Sequence, residues 1–291
     1  MEPVSTTGMK LITQAVQKLI DAEEEGVLAL VVRSLGSAPG RLGAKALILP
    51  DGSIQGTVGG GVVEARVIAD ALNVLEDGRG PRTLHYKLSE LGMSCGGEMS
   101  VYLEPLQPPR SVVLFGAGHV GAALARVMKL LGCRLRVVDD RPEWANRERF
   151  PDADELMVMP FGEALAKNPP GPRDHVIIVT RGHDHDQAVL ETVIEQPVAW
   201  IGMIGSKRKA AAALGKLKEK GVDRELIEQV RCPIGLDIGA VTPEEIAVAV
   251  AAELVLLWRK GGGRKESPAR PAKPAKPRPA PVAAEDQGEP E

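Results

Sequence analysis

The first hundred residues alternate between apolar runs and breaks rich in glycine or polar residues. Apolar positions share one face at helical spacing over residues 10–25 and again over residues 62–75, so both stretches predict helices. Pro50, Asp51 and Gly52 lie between two apolar runs and predict a hairpin turn. The predicted strands are residues 27–33, 44–49, 53–58, 83–88 and 99–103. Helices and hairpin strands without repeated βα units predict an α+β domain over residues 1–107.

The pattern changes after Gln107, Pro108 and Pro109, which mark the predicted domain boundary. Predicted strands and helices then alternate as strand 111–115, helix 119–131, strands 134–138, 155–159 and 175–180, helix 185–195, strand 197–202 and helix 206–219. A last helix begins at Thr242 and Pro243 and runs to about residue 259. This alternation is typical of a doubly wound parallel sheet, so we predict a larger α/β, Rossmann-like domain over residues 108–260.

Residues 261–291 have a composition unlike the rest of the chain. Proline, alanine, lysine and arginine dominate first, and acidic residues follow. Such a segment cannot bury enough apolar surface to fold, so it is predicted to be disordered. A solubilising tail is the simplest interpretation, and contact of its basic half with an acidic partner is the alternative.

Composition narrows the function classes. The net charge of −3 gives no case for nucleic-acid binding. No segment resembles a membrane span or a secretory leader, so no membrane association is expected. The sparse cysteines Cys95, Cys133 and Cys232 suggest neither a disulfide framework nor a paired zinc motif. A reducing cytoplasm is therefore the expected location.

Three spaced glycines follow the predicted strand 111–115 and open a helical pattern. Gly116 would allow a tight turn, Gly118 would let the backbone approach a phosphate, and Gly121 would let helix and strand pack closely. Free N–H groups at the start of the helix favour an anion there. This motif predicts a Rossmann-type fold more strongly than it predicts dinucleotide chemistry.

Two side chains extend the prediction for this turn. His119 would lie close to a bound phosphate or fill the first helical turn. Asp139 ends the next strand, roughly twenty residues downstream, where a ribose-binding carboxylate is expected. The sequence holds no nucleophile elbow, no HExxH and no P-loop, and nothing in it identifies a base for hydride transfer.

The predicted N-terminal domain has glycine clusters at residues 36–43, 57–61 and 92–98. Glycine loops expose backbone N–H groups, so they suit either a polar, anionic ligand or simple turns and a helix cap. Cys95 lies in the third cluster. If the loops converge, backbone donors and Arg41 would lower the pKa of its thiol, and a thiolate suits a thiophilic metal.

Further polar residues follow two strands of the predicted parallel sheet. His183 and His185 alternate with Asp184 and Asp186, which suits helix capping at the edge of a site better than a metal site. Ser206 is a natural helix cap, and residues 207–209 are cations that suit either phosphate or a solvated helix face. Cys133 is interpreted as structural, and Cys232 as intermediate between structural and functional.

Several short motifs carry a resemblance to a known family. In the N-terminal half they are GSAP at 36–39, GAK at 43–45, VGGGVVE at 58–64 and CGG at 95–97. In the C-terminal half they are FGAGHV at 115–120, VDDR at 138–141, TRGHDHD at 180–186, IGMIGS at 201–206 and PIGLDIGAVTPEEIA at 233–247. Over residues 10–260 the chain resembles the XdhC/CoxI family, the accessory proteins of xanthine dehydrogenase and related molybdenum hydroxylases.

The resemblance implies binding and protection of molybdenum cofactor, its sulfuration with a cysteine desulfurase, and its delivery to a molybdenum hydroxylase apoenzyme. That cofactor is a pterin with a dithiolene-bound metal and a terminal phosphate, sometimes extended by a nucleotide. The glycine loops suit the phosphate or nucleotide, and Cys95 suits the metal or a transferable sulfur. The expected cofactor-binding residues are Arg41, Gly59, Gly60, Gly61, Glu64, Cys95, Gly96, Gly97, Gly116, Gly118, His119, Gly121 and Asp139, with Cys95 as the metal ligand.

Two other interpretations stay open at the level of sequence. The glycine turn and Asp139 also fit an NAD(P)-dependent oxidoreductase, or a regulatory module that senses a nucleotide without chemistry. Cys95 is the only cysteine of the predicted N-terminal domain, because Val62 stands where some relatives carry another. A homodimer is the default expectation for the assembly.

Overall fold

The computed structural model describes residues 6–77, 80–93 and 96–259 of the 291-residue chain. Cys95 and the predicted tail, residues 261–291, lie outside these ranges. Within them the chain forms two five-stranded sheets. Residues 107–110 join the last strand of the first sheet to the first strand of the second.

The N-terminal half forms an antiparallel sheet in the order β3-β2-β1-β5-β4. Its elements are α1 (Thr6–Asp21), β1 (Gly26–Leu35), β2 (Lys45–Ile48), β3 (Ile54–Gly56), α2 (Gly61–Asp77), β4 (Arg82–Lys87), a 3-10 helix (Leu88–Leu91) and β5 (Glu98–Leu106). One face of α2, formed by Val63, Val67, Ala71 and Val74, is buried against this sheet. The predicted α+β arrangement and the hairpin at residues 50–52 are therefore present.

Helix α1 ends before residue 25, the end predicted from the glycine at position 26. Its last residue is Asp21, and residues 22–25 turn the chain back toward β1. Glu23 adopts a left-handed backbone conformation with φ of 52°. An L residue cannot continue a right-handed helix in that conformation, so the acidic run belongs to the turn.

The C-terminal half forms a parallel sheet in the order β10-β9-β6-β7-β8. Its elements are β6 (Ser111–Phe115), α3 (His119–Leu130), β7 (Arg134–Asp139), β8 (Glu155–Val158), α4 (Phe161–Lys167), β9 (Asp174–Ile178), α5 (His183–Val193), β10 (Trp200–Met203), α6 (Lys207–Glu219), α7 (Arg224–Gln229) and α8 (Pro243–Arg259). Two separate hydrophobic clusters, one on each face, bury the sheet between helices. This is the predicted doubly wound, Rossmann-like architecture.

Strand β6 lies at the centre of this sheet, and its side chains pack against helices on both faces of the sheet. Val112 and Leu114 pack with α3 and α8, whereas Val113 and Phe115 pack with α4 and α5 on the opposite face. Side chains alternate between the faces of a strand, so a strand buried on both faces becomes a continuous apolar run. The chain leaves β6 toward β7 on one side and returns at β9 on the other, which creates a crevice at the carboxyl ends of β6 and β9.

Two helices of this half were absent from the sequence prediction. Helices α4 and α7 have seven and six residues, too few for the periodicity of an amphipathic face to stand out. The predicted start of α8 is confirmed in detail. The hydroxyl of Thr242 accepts the Glu245 N–H at 3.2 Å, and the Glu245 carboxylate accepts the N–H groups of Val241 and Thr242.

Candidate functional site

The turn between β6 and α3 contains the three glycines, and two of them are required by packing. A Cβ atom on Gly116 would lie 2.4 Å from the carbonyl oxygen of Val179, and one on Gly121 would lie 2.0 Å from that of Gly116. A Cβ atom on Gly118 would meet no atom within 4 Å. The first and third glycines therefore hold the turn together, while Gly118 leaves open space at the start of α3, as close approach of a phosphate would require.

Asp139, at the end of β7, is 1% exposed and holds the glycine turn in place through a hydrogen bond to its backbone. Its Oδ2 accepts the N–H of Ala117 at 2.8 Å, and Arg141 donates to both carboxylate oxygens at 2.8 Å. Burial alone would raise the pKa of Asp139, but the hydrogen bonds from Arg141 and Ala117 outweigh it and hold that pKa below its usual value. Both oxygens are thus engaged within the protein, and the ribose-binding role expected from the position of Asp139 stays a prediction.

A tryptophan flanked by two cations lies beside the turn. The guanidinium groups of Arg141 and Arg149 lie 5.0 Å and 4.6 Å from the ring centroid of Trp144. His119, the first residue of α3, packs edge-on against the same ring at 5.2 Å. Arg149 also donates to the carbonyl oxygen of Ala117 at 3.4 Å. The start of α3 therefore combines helix N–H groups with two guanidinium groups, a combination that favours an anion.

A groove with a volume of about 490 Å³ lies along α3 and is lined in part by His119, which directly follows Gly118. Its lining includes His119 and Arg149, and it continues to Arg126 and Lys129 further along the helix. Glu148, Asp152 and Glu244 lie on its other sides. This volume falls in the range of roughly 300–1,000 Å³ in which small-molecule sites usually lie.

An ion pair connects the loops on either side of β6. Arg181, after β9, donates to both carboxylate oxygens of Asp140, after β7, with an Nη2–Oδ2 distance of 2.9 Å. The Arg181 side chain is 36% exposed and that of Asp140 is 25% exposed. Solvent or a ligand can therefore reach this guanidinium.

A smaller cavity of about 190 Å³ lies between α5 and α6, at the carboxyl ends of β9 and β10. We call it the α5–α6 cavity; it is lined by His183, Asp186, Gln187, Met203, Ile204, Lys209, Ala212, Ala213 and Lys216. Asp186 is 5% exposed, and its Oδ1 accepts both the N–H of Thr180 at 3.0 Å and the hydroxyl of Thr180 at 2.6 Å. Burial raises the pKa of Asp186, against the lowering effect of the Thr180 hydrogen bonds.

The capping role expected for Asp184 or Asp186 is wrong. Gly182 is the N-cap of α5, and no side chain caps the helix there. Asp186 instead turns back to hold Thr180. Within residues 6–77, 80–93 and 96–259, no three His, Cys, Asp or Glu side chains are arranged to hold a metal ion. Ser206 does cap α6, since its hydroxyl accepts the N–H of Lys209 at 3.3 Å.

The glycine loops of the N-terminal half converge, as a common site would require. A Cβ atom on Gly97 would lie 2.6 Å from the Ala38 nitrogen, which joins the third loop to the first. A Cβ atom on Gly59 would lie 2.8 Å from the Gly40 nitrogen, which joins the second loop to the first. Gly60, Gly61 and Gly96 have nothing within 4 Å of a Cβ position and leave space around the junction.

Glu64 organises the second of these loops. Its Oε2 accepts the Thr57 hydroxyl at 2.6 Å, the Val58 N–H at 3.1 Å and the Gly60 N–H at 3.4 Å. This carboxylate therefore shapes the glycine loop at the start of its own helix. Arg41 is exposed in the first loop. Cys95, the predicted metal ligand, lies outside the described residues, next to Gly96.

The two cysteines that the structure describes are not activated thiols. Burial raises the pKa of Cys133, which packs in the core of the parallel sheet. Burial and the nearby charge of Asp186 raise the pKa of Cys232 to about 11. Both thiols are therefore protonated near neutral pH, which agrees with a structural role for Cys133.

Sequence reasoning missed several residues around the glycine turn and the α5–α6 cavity. Arg141, Trp144, Arg149 and Arg181 surround the turn, and Thr180 lies between the turn and the cavity. Arg141 and Arg181 lie within the motifs quoted above, but no local spacing predicts their partners. Trp144 and Arg149 belong to an irregular segment without a periodic pattern, so no signal marks them.

Two family models match this chain. The model described as the XdhC Rossmann domain matches residues 112–254. The model described as the XdhC and CoxI family matches residues 19–87. Together they match parts of both sheets, in the order expected from the motifs.

Among curated proteins, the uncharacterized protein YqeB of Escherichia coli (strain K12) is 38% identical over 270 residues, which are 90% of this chain and 49% of that protein. A probable xanthine dehydrogenase component of Bacillus subtilis (strain 168) is 30% identical over 156 residues, 54% of this chain and 45% of that protein. The molybdenum cofactor insertion chaperone PaoD of Escherichia coli (strain K12) is 26% identical over 265 residues, 78% of this chain and 82% of PaoD. The chain spans about half the length of the first two relatives.

Proposed function

The chain belongs to the XdhC and CoxI family, and we propose that it binds molybdenum cofactor and delivers it to the apoenzyme of a molybdenum hydroxylase such as xanthine dehydrogenase. The similarity to a molybdenum cofactor insertion chaperone, which extends over 82% of that relative, supports this proposal. The name of the Bacillus subtilis relative supports a xanthine dehydrogenase as the recipient.

The observation that carries the proposal is the cationic glycine turn at the start of α3. Gly118 leaves space where helix N–H groups point outward, and Arg141 and Arg149 lie beside that space. A phosphate monoester is an anion that these donors suit. The terminal phosphate of the cofactor, or the nucleotide that extends it, would bind at this turn.

The converging glycine loops are the proposed site of the dithiolene-bound metal of the cofactor. Gly96 and Gly60 leave space there, and Arg41 is exposed on the first loop. Cys95 comes directly before Gly96 in the sequence, so its thiol is the proposed ligand of the metal or carrier of the transferable sulfur. We also propose that a cysteine desulfurase sulfurates the bound cofactor and that the chain assembles as a homodimer.

The oxidoreductase interpretation fits the turn less well. A nicotinamide dinucleotide needs an acceptor for its ribose hydroxyls at the end of the second strand. Asp139 occupies that position, but its oxygens already accept hydrogen bonds from Ala117 and Arg141. The guanidinium groups fit both interpretations, because a dinucleotide also carries phosphates. The engagement of Asp139 within the protein is what supports cofactor binding without hydride transfer.

The test is native mass spectrometry of the full chain purified from a host that makes molybdenum cofactor. We expect a retained pterin-sized molybdenum species with near-unit stoichiometry. Gly118→Val should reduce retention, because its side chain would fill the space above α3, while Gly171→Val is the matched control at a site that is also open.

A retained nicotinamide dinucleotide, or no retained ligand, would contradict the proposal. The recipient is tested separately in cells that lack the protein. If the molybdenum hydroxylase is normally metallated, sulfurated and active in those cells, the protein does not deliver the cofactor.

A further inference from the structure

The α5–α6 cavity is lined by a buried carboxylate, one oxygen of which accepts no hydrogen bond from the residues that the structure describes. Asp186 is 5% exposed and lines this cavity. Its Oδ1 accepts two hydrogen bonds from Thr180, whereas its Oδ2 accepts none from the described parts of the chain. This oxygen is not fully enclosed by the described parts of the protein, so it takes its hydrogen bonds from water or from a ligand in the cavity. Oδ2 is therefore a place for an N–H group of a ligand.

Basic side chains line other parts of the same cavity. Lys209 and His183 are close enough to influence the charge of Asp186. Among residues whose placement is described, neither they nor Lys216 forms an ion pair with that carboxylate. The gap between Asp186 and these side chains can hold a ligand that donates at one point and accepts at another. A carbonyl oxygen or an anionic group would meet the lysines.

Apolar side chains form the remaining walls. Met203 and Ile204 come from the end of β10, and Ala212 and Ala213 come from the middle of α6. Apolar walls and a methionine sulfur suit the faces of a flat ring. The volume of about 190 Å³ is below the roughly 300–1,000 Å³ of sites that enclose a whole drug-sized ligand. The cavity therefore suits one ring system rather than a dinucleotide.

The cavity is joined to the glycine turn through Thr180. A Cβ atom on Gly116 would lie 2.9 Å from the Thr180 nitrogen, and that same nitrogen donates to Asp186 at 3.0 Å. A ligand with its phosphate at the turn and its ring in the cavity would therefore lie along one continuous edge of the parallel sheet.

We propose that the α5–α6 cavity binds the aminopyrimidinone ring of a pterin, with an N–H of the ring donating to Asp186 Oδ2 and the ring carbonyl accepting from Lys209 or Lys216. An aminopyrimidinone carries these donors and this acceptor around a flat ring. This inference rests on the proposed function, because it assigns the pterin part of the same cofactor to specific residues.

The test uses 6-hydroxymethylpterin as a fluorescent probe and measures its dissociation constant with the full chain. Asp186→Asn should weaken binding about tenfold or more, because it removes the negative charge that faces the ring donor. Lys209→Gln should weaken it by a smaller factor, and Lys218→Gln is the matched control on the same helix outside the cavity. Asn can still accept from Thr180, and Lys209 is exposed, so thermal unfolding should show both variants folded.

Equal affinity of wild type, Asp186→Asn and Lys209→Gln for the pterin would overturn the assignment, and so would an absence of pterin binding by wild type. If Asp186→Asn fails to fold, Lys209→Gln alone decides. Guanosine monophosphate presents a similar set of donors and acceptors on its ring. If it binds more tightly than the pterin, the assignment to a pterin is overturned and the cavity is a site for a purine nucleotide.

Retention of the complete cofactor separates this inference from the proposed function. If Asp186→Asn retains the cofactor as wild type does, the cavity assignment fails and the delivery function stands. If wild type retains no cofactor but binds the free pterin through Asp186, the delivery function fails and the ring site stands.

Discussion

The guanidinium of Arg181 donates to both carboxylate oxygens of Asp140 and so connects the loops that follow β9 and β7, on either side of β6. Because both side chains are partly exposed, the pair contributes little to folding, in the range of about 0–1 kcal/mol typical of surface ion pairs. Because the ion pair lies beside the glycine turn, we expect it to affect the affinity for an anionic ligand more than the stability of the fold.

Releasing Arg181 should strengthen anion binding at the turn. Asp140→Asn removes the competing carboxylate, so we expect a lower dissociation constant for pyrophosphate, whereas Arg181→Gln should raise it. Calorimetric titration at low and high salt measures both, and the difference should shrink as salt screens the charges. Arg224→Gln, in the distant ion pair with Glu228, is the control. Identical affinities for all four proteins would show that Arg181 does not face the anion.

Asp139 should stabilise the fold in a pH-dependent way. Its folded pKa lies below the usual value near 3.9, so its contribution is present above that value and is lost as pH falls through the lower, folded pKa. At pH 7, Asp139→Asn should lower the free energy of unfolding by about 2–3 kcal/mol, because it leaves Arg141 with a weaker partner. Urea unfolding at pH 7 and at pH 3 should show the difference between wild type and variant shrinking in acid. A constant difference across pH would argue against this linkage.

Two glycine substitutions in helices should act in opposite directions. Gly121→Ala places a Cβ atom 2.0 Å from the Gly116 carbonyl oxygen, so the turn must move, at a cost of about 1–3 kcal/mol. Gly215→Ala, within α6, meets no atom within 4 Å and should gain about 0.5–1 kcal/mol from helix propensity. Thermal unfolding measures both changes, and a tolerated Gly121→Ala would mean that the turn is less tightly packed than its geometry indicates.

The described cysteines should react slowly with alkylating reagents. Burial and Asp186 raise the pKa of Cys232 to about 11, so little thiolate exists at pH 7.5, and Cys133 is buried with a raised pKa as well. Peptide mass spectrometry after treatment with iodoacetamide should find both at least about tenfold slower than free cysteine. Asp186→Asn should speed modification of Cys232 by removing the nearby negative charge. Rapid labelling of Cys232 in wild type would contradict its raised pKa.

Local patterns predicted most of the fold because the interactions that form these elements involve residues close together in the sequence or on one face of a helix or strand. The apolar run of β6, the glycines after it and the cap at Thr242 each depend on neighbouring residues, and the structure places them as predicted. The short helices α4 and α7 were missed because one or two turns give no clear periodicity. The end of α1 was misplaced because the acidic residues after Asp21 are also good helix formers.

The surroundings of the predicted site residues were harder to predict than the helices and strands on which they lie. Gly118 is open to a ligand and the N-terminal loops meet, as the glycine clusters suggested. Asp139 and Glu64 were expected to bind the cofactor, and that role stays a prediction. In the structure both carboxylates accept hydrogen bonds from loops of their own half. The carboxylate that does face a cavity, Asp186, was interpreted as a helix cap.

The sequence by itself determined the two sheets, their order along the chain, the glycine turn and the family, because these follow from periodicity, turn chemistry and motifs read along the chain. Only the tertiary structure decided which polar groups are already satisfied. Asp139 and Arg141 are two residues apart, but Asp186 holds Thr180 through a reversal of the chain, and Arg181 reaches Asp140 from another strand. A side chain's partners depend on which strands the sheet brings together, and that arrangement is a property of the whole fold rather than of any local segment.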